Sequence, residues 1–149
     1  MNVKMIQERL NSYSCTSQQE EENALREITQ ELALAALSRS DFFKKAAFQG
    51  GTCLRIFYSS DRFSEDIDFI LKTPQKHFQL APYLKSLAVE LEAYGYRMEV
   101  VDRSKSDNAV KKAFLKDDSL GKILSLSLTL FQHAHCRHGY PSNSFRSLL

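Results

Sequence analysis

The chain has 149 residues, of which 43% are hydrophobic, and its 20 basic and 18 acidic side chains give a formal net charge of +2. This length accommodates one compact domain but not two. The charge is too balanced for composition alone to indicate a nucleic-acid binder. Three widely spaced cysteines argue against a disulfide framework and for a reducing compartment. The sequence predicts neither a signal peptide nor a membrane span of ~20 apolar residues, so we expect a cytoplasmic protein without a membrane partner.

The first third of the chain predicts two helices. Val3, Ile6 and Leu10 recur at helical spacing and indicate a short one. Ser17 and Glu20 form a capping-box pattern, which predicts that a long amphipathic helix over residues 17–37 begins there. The apolar face of that helix is expected to contain Leu25, Ile28, Leu32, Ala35 and Ala36.

The next segments predict alternating short elements. A short helix is expected over 40–47, and an extended segment then enters the glycine pair at 50–51. Helical spacing returns over 52–58. After a loop, the period-2 alternation over 64–71 predicts a strand.

The second half of the chain predicts helices and strands in alternation. A broad apolar face over 77–93 indicates a helix, and residues 96–102 alternate as a strand does. Residues 107–115 are interpreted as a helix with its lysines outward. The alternation over 123–130 favours a third strand, whereas 133–149 has no periodicity.

Two carboxylates in the strand 64–71 suggest a metal site. Side chains at positions i and i+2 of a strand point to the same face, so Asp66 and Asp68 converge while Ile67 faces the core. Mg²⁺ binds through one or two carboxylates together with substrate phosphates. We therefore predict a Mg²⁺ site at this pair.

The glycine pair suggests a phosphate site. Gly50 and Gly51 allow the backbone amides at a helix start to approach a triphosphate closely. Hydroxyl contacts are expected from two nearby residues, and an arginine fork can clamp the leaving pyrophosphate. The four side chains with these expected contacts are Thr52, Ser64, Arg55 and Arg62.

The two motifs together resemble a known family. The segments FQGGTCLR (48–55) and RFSEDIDF (62–69) are similar to the signature of AbiEii/AbiGii-type nucleotidyltransferase toxins. These toxins belong to type IV toxin–antitoxin systems and to the DNA-polymerase-β-like nucleotidyltransferase superfamily. The likeness continues more loosely over 105–122 and spans roughly residues 30–122. It implies an α+β fold with a small mixed sheet flanked by helices.

The resemblance also implies an activity. Such enzymes transfer a nucleotide from a nucleoside triphosphate to an acceptor with Mg²⁺, and tRNA is the acceptor in some members. A cognate antitoxin is the usual partner. Carried over, Gly50, Gly51 and Thr52 would meet the triphosphate with help from Ser64. Asp66 and Asp68 would be the catalytic carboxylates that hold the metal.

The chain departs from the family pattern beyond the motif. Family members carry a third carboxylate on a later strand, whereas no Asp or Glu follows Asp118 here. Glu99 and Asp102 are the nearest substitutes in the sequence. We therefore divide the chain into a nucleotidyltransferase core, 1–122, and a divergent tail, 123–149.

An abrupt loss of acids and periodicity is what a frameshift or premature stop produces, so we hypothesise a fold that is incomplete at its C-terminus. The alternative function is then an inactive remnant that binds only the nucleoside triphosphate or the antitoxin. Unless the strand at 123–130 covers the exposed sheet edge, a homo-oligomer or a partner chain is expected.

Two further clusters leave alternatives open. His133, His135, Cys136 and His138 are potential metal ligands, but their spacing matches no established zinc pattern. The second cluster is either a contact for an RNA backbone or a solvated helix face. It comprises Arg103, Lys105, Lys111, Lys112 and Lys116.

Overall fold

Five helices and five strands lie in residues 3–103 and 108–131, the part of the chain that the computed structural model describes. The helices are α1 (Val3–Asn11), α2 (Gln18–Ser38), α3 (Phe42–Lys45), α4 (Gly50–Tyr58) and α5 (Ala81–Glu92). The strands are β1 (Ala46–Gln49), β2 (Asp66–Leu71), β3 (Met98–Asp102), β4 (Val110–Asp117) and β5 (Gly121–Thr129). This content confirms the predicted α+β class.

The strands form one mixed sheet in the order β1-β2-β5-β4-β3. β2 and β5 are parallel neighbours, and the other pairs are antiparallel. The strand predicted over 123–130 is confirmed, but it does not cover an edge of the sheet. It pairs with β2 on one side and β4 on the other, so the tail that was expected to begin at 123 starts inside the sheet.

Helices cover one face of the sheet. Ile67, Phe69 and Leu71 of β2 alternate inward and are buried in one core with the apolar residues of α2 and α5. Phe42 packs edge-on against Phe69, with ring centroids 4.9 Å apart. Asp66 and Asp68 occupy the alternate positions, so they lie on the opposite face of the sheet.

The long helix α2 begins as predicted. The hydroxyl of Ser17 accepts a hydrogen bond from the amide of Glu20, and the Glu20 carboxylate accepts one from the amide of Thr16. The buried face differs in part from the prediction, because Ala35 is exposed and because Glu27 and Gln30 are buried. Both of these polar side chains have partners near the candidate site, which are described below.

The helix predicted over 107–115 is wrong, because residues 110–117 form β4. Alanine, lysine and leucine favour helices in isolation, but pairing with both β3 and β5 outweighs that weak local preference. Two helix boundaries also shift. α3 ends at Lys45 because Ala46 already pairs with Leu71, and α5 begins at Ala81, with Pro82 in its first turn.

The turn between β4 and β5 is held by a buried carboxylate. Asp117 accepts hydrogen bonds from the amides of Ser119 and Leu120 through Oδ1 and from the amide of Arg97 through Oδ2. The same side chain thus closes the hairpin and ties it to the start of β3. This acid of the second half of the chain has a structural role.

Cys15 and Cys53 are free thiols, and burial raises the pKa of Cys53. Within residues 3–103 and 108–131 there is no helix long and apolar enough to cross a membrane. Cys136, the three histidines near it and Lys105 lie outside the described residues.

Candidate active site

The two predicted aspartates face the open side of the sheet together. Asp66 pairs with Ser125 and Asp68 pairs with Ser127 in the parallel β2–β5 ladder. Paired residues of neighbouring strands point to the same face, so two carboxylates and two hydroxyls share one surface. The structure therefore brings the aspartates together as their i, i+2 spacing predicts.

The carboxyl of Asp68 lies in the more enclosed position. Burial raises its pKa, the negative charge of Asp66 raises it further, and the positive charge of Lys112 acts in the opposite direction. Lys112 pairs with Ser127 across the β4–β5 ladder, which brings it to the level of Asp68. The site thus concentrates negative charge at the point where a cation would relieve it.

The glycine pair lies directly against these carboxylates. Gln49, the last residue of β1, pairs with Asp68, and α4 begins at the next residue. Gly50 has φ +82°, and a Cβ built on it would come within 2.6 Å of Asp68 Oδ2. Only glycine fits this conformation and this approach without a shift, so the backbone start of α4 stays next to Asp68.

Thr52 does not present its hydroxyl to the groove. Its side chain is completely buried, and the hydroxyl donates a hydrogen bond to the backbone carbonyl of Asp66. The predicted hydroxyl contact with a triphosphate would require this hydrogen bond to break, and it stays a prediction. Thr52 instead fastens the first turn of α4 to the start of β2 and so sets the position of Asp66.

Arg55 also has its partners within the protein. Its Nε lies 2.6 Å from Glu27 Oε1, its Nη1 donates to the carbonyl of Ser60, and its guanidinium lies 4.0 Å from the ring centroid of Phe63. A guanidinium with these partners holds the loop between α4 and β2, and the predicted pyrophosphate clamp by Arg55 would require it to leave them. Arg62, in the same loop, is exposed to solvent.

The network around Arg55 continues to the turn that follows α1. Glu27 Oε2 accepts a hydrogen bond of 2.6 Å from the hydroxyl of Tyr13. Burial alone would raise the pKa of Glu27, but the bonds from Arg55 and Tyr13 outweigh it and hold the pKa below its ordinary value. Glu27 is 7% exposed. It is a positioning residue that the sequence interpretation missed.

A second missed residue supports the strand that carries the aspartates. The amide of Gln30 donates hydrogen bonds of 2.8 and 3.3 Å to the backbone carbonyls of Ser64 and Glu65. Ser64 itself turns its hydroxyl toward Gly51, where an added Cβ would come within 3.1 Å of Ser64 Oγ. The sequence could have indicated this role, because Gln30 is a polar residue at a buried position of α2.

No third carboxylate, histidine or cysteine joins Asp66 and Asp68 among the described residues. The strand order explains why the two substitute carboxylates suggested by the sequence do not join these aspartates. Glu99 and Asp102 are on β3, three strands from β2, which is roughly 14 Å at the usual spacing of strands. They cannot share an ion with Asp66. Ser125 and Ser127 stand where a neighbouring strand would supply another ligand.

The aspartates open into a groove of about 1210 Å³ on the open face of the sheet. Apart from Asp66 and Asp68, its charged lining residues within the described ranges are all basic. They are Arg103, Lys112, Lys116 and Lys122.

The donor set of the site fits one hard divalent cation. Two carboxylates on one strand face suit Mg²⁺ when substrate phosphates supply further oxygens. The charge that raises the pKa of Asp68 is also what such an ion would compensate. Asp66 and Asp68 are the residues that would hold it.

One comparison with known proteins identifies a matching protein family. Residues 32–120, more than half of the chain, match the family model described as nucleotidyl transferase AbiEii toxin, type IV TA system. The match includes the glycine pair, both aspartates and strands β1 to β4. None of the curated proteins matches the chain.

Proposed function

The chain belongs to the AbiEii nucleotidyl transferase toxin family of type IV toxin–antitoxin systems, and from this premise we propose that it transfers a nucleotide from a Mg²⁺-bound nucleoside triphosphate to an RNA acceptor such as tRNA. The observation that carries the proposal is the contact between two motifs. The start of α4 at Gly50 lies against Asp68, and this closeness supports a proposed phosphate site adjacent to a proposed metal site.

The groups of the chain have distinct roles in this proposal. The free amides at the start of α4 bind phosphate oxygens, with the helix dipole favouring the negative charge. Asp66 and Asp68 orient the nucleotide for in-line attack, while Thr52 and Gln30 hold the backbone of β2 in place. When bound, Mg²⁺ supplies neutralisation of the charge that develops on the phosphate oxygens.

Partners follow from the family. A type IV toxin has an antitoxin and uses a nucleotide substrate. We propose in addition that the protein acts in the cytoplasm, where both the triphosphates and the acceptor RNA are found. A homo-oligomer remains a separate proposal, which sedimentation of the purified protein tests.

The test is transfer of label from each nucleoside triphosphate to total tRNA in the presence of Mg²⁺. The wild-type chain should label RNA, and Asp66→Asn and Asp66→Ala should lose at least about 100-fold in rate while melting at the wild-type temperature. Asp66→Ala should also lose growth inhibition in cells. Equal toxicity of this variant and the wild type would refute the proposal.

A second candidate function rests on the missing third carboxylate in the described residues. A two-metal transfer needs a carboxylate near the attacking hydroxyl, so a chain with two can bind the nucleotide without turnover. The second candidate is therefore a protein that binds Mg²⁺-nucleotide or antitoxin and transfers nothing. Calorimetry showing nucleotide binding, together with no labelled RNA for any nucleotide, would favour it.

A further inference from the structure

Three cations surround one aromatic ring on the open face of the sheet. The guanidinium carbon of Arg103 lies 5.0 Å, Lys122 Nζ 5.1 Å and Lys116 Nζ 5.4 Å from the ring centroid of Phe114. The ring is 9% exposed. These four residues form the Phe114 cluster, which comes from β4, from the start of β5 and from the residue after β3.

The Phe114 cluster has a defined position relative to the aspartates. Phe114 pairs with Ser125 on β5, and Ser125 pairs with Asp66 on β2. The Phe114 and Asp66 backbones are therefore level with each other and roughly 10 Å apart, two strand spacings across the open face. Lys112, two residues before Phe114 on β4, lies on the same face at the level of Asp68.

Gly50 lies on the other side of β2. It follows β1, which is the neighbour of β2 opposite to β5. The aspartates thus stand between the start of α4 on the β1 side and the three cations of the Phe114 cluster on the β4 side. In-line displacement places the attacking and leaving groups on opposite sides of the phosphorus.

From this arrangement we infer that the Phe114 cluster binds the phosphodiester backbone of the acceptor RNA and delivers its hydroxyl end to Asp66 and Asp68. The inference rests on the proposed transfer to RNA, and it names the surface of the protein that binds the acceptor. The charge of the groove fits a polyanion, because its described lining contains four cations and no acid besides the two aspartates. Phe114 is covered by the cations, so the contact is with phosphates rather than by stacking of bases.

The experiment compares two variants with the same loss of charge. Lys116→Gln with Lys122→Gln removes two cations from the Phe114 cluster and keeps a polar side chain with the first part of each aliphatic stem. Lys44→Gln with Lys85→Gln is the matched control, because both lysines are exposed on helices. Binding of an end-labelled single-stranded oligouridylate is followed by fluorescence anisotropy over a range of salt concentrations.

The Lys116/Lys122 variant should bind the oligouridylate about tenfold more weakly at ~0.1 M salt, and its slope of log affinity against log salt should be about 1.4 smaller in magnitude. The control should bind as the wild type does. Both variants should bind Mg²⁺-nucleotide as the wild type does in calorimetry, because the proposed triphosphate site is at the start of α4. Unchanged RNA binding by the Lys116/Lys122 variant would overturn the inference, as would a loss of nucleotide binding with RNA binding intact.

Transfer assays separate this inference from the proposed function. If the wild type labels RNA and the Lys116/Lys122 variant does so with the same KM for RNA, the function stands and the Phe114 cluster is not the acceptor surface. If neither protein labels RNA but RNA binding still depends on these lysines, the surface stands and transfer to RNA is wrong. A higher KM for RNA with an unchanged KM for the nucleotide supports both.

Discussion

Replacing Gly50 with alanine tests the contact on which the candidate site depends. Two costs are expected. An L-residue at φ +82° is strained by about 1–2 kcal/mol. In addition, the new methyl group would lie 2.6 Å from Asp68 Oδ2 and 3.2 Å from its Cβ and Cγ, so the carboxylate or the start of α4 must move.

Gly121 supplies a control that carries the first cost alone. It has φ +72°, and a Cβ there would meet nothing within 4 Å. Gly121→Ala should therefore lower the free energy of unfolding by about 1–2 kcal/mol, and Gly50→Ala by at least as much because it adds the clash with Asp68. Only Gly50→Ala should weaken Mg²⁺-nucleotide binding, by about tenfold or more, which corresponds to about 1.4 kcal/mol.

The measurements are urea denaturation for stability and calorimetry with a non-hydrolysable nucleoside triphosphate for affinity. A Gly50→Ala protein that binds the nucleotide as tightly as the wild type would refute the reasoning. So would a Gly121→Ala protein that loses affinity to the same degree, because the effect would then come from general destabilisation.

Two further predictions concern charges around the site. Glu27→Gln should lower the free energy of unfolding by about 1–3 kcal/mol at pH 7, since Arg55 loses its charged partner. Because the folded pKa of Glu27 is lowered, its stabilisation is complete above the ordinary carboxyl pKa and is lost as pH falls through the folded value. The gap between wild type and variant should thus be constant from pH 7 to about 5 and shrink below about 4, and a constant gap down to pH 3 would contradict this assignment. Ser125→Asp should add a third carboxylate opposite Asp66 and strengthen Mn²⁺ binding without nucleotide by about tenfold, as measured by electron paramagnetic resonance. Thr129→Asp, further along β5, is its control, and equal gains in both variants would exclude a specific ligand position at Ser125.

Local patterns predicted the part of the site that is continuous in the chain. Gly50 and Asp68 come from consecutive elements, and β1 and β2 are neighbours, so the spacing of the motif was enough to bring them together. The hydrogen-bond partners of individual side chains were harder to predict from the sequence. Arg55 and Thr52 have the chemistry of phosphate ligands, but their commitment to Glu27 and to the carbonyl of Asp66 depends on tertiary packing.

The strand β4 shows why the rest of the site escaped prediction. Lysines and alanines over 110–117 favour a helix when considered alone, and an outward helix face would scatter their charges. As a strand between β3 and β5, the same segment places alternate residues on one face, so Lys112, Phe114 and Lys116 line the groove. The basic surface is therefore a product of strand pairing rather than of a motif.

The parallel pairing of β2 with β5 connects these two halves of the site. Asp66 and Ser125 are far apart in the chain, and β3 and β4 lie between them in sequence. Every residue on the β4 side of the aspartates reaches them through this one long-range ladder, whereas the Gly50 side needs only the adjacent β1–β2 pairing. A change that breaks the β2–β5 pairing should consequently abolish the acceptor surface together with the fold of the sheet. A change confined to side chains on the open face, such as the paired lysine substitutions, should weaken RNA binding while the nucleotide site stays intact.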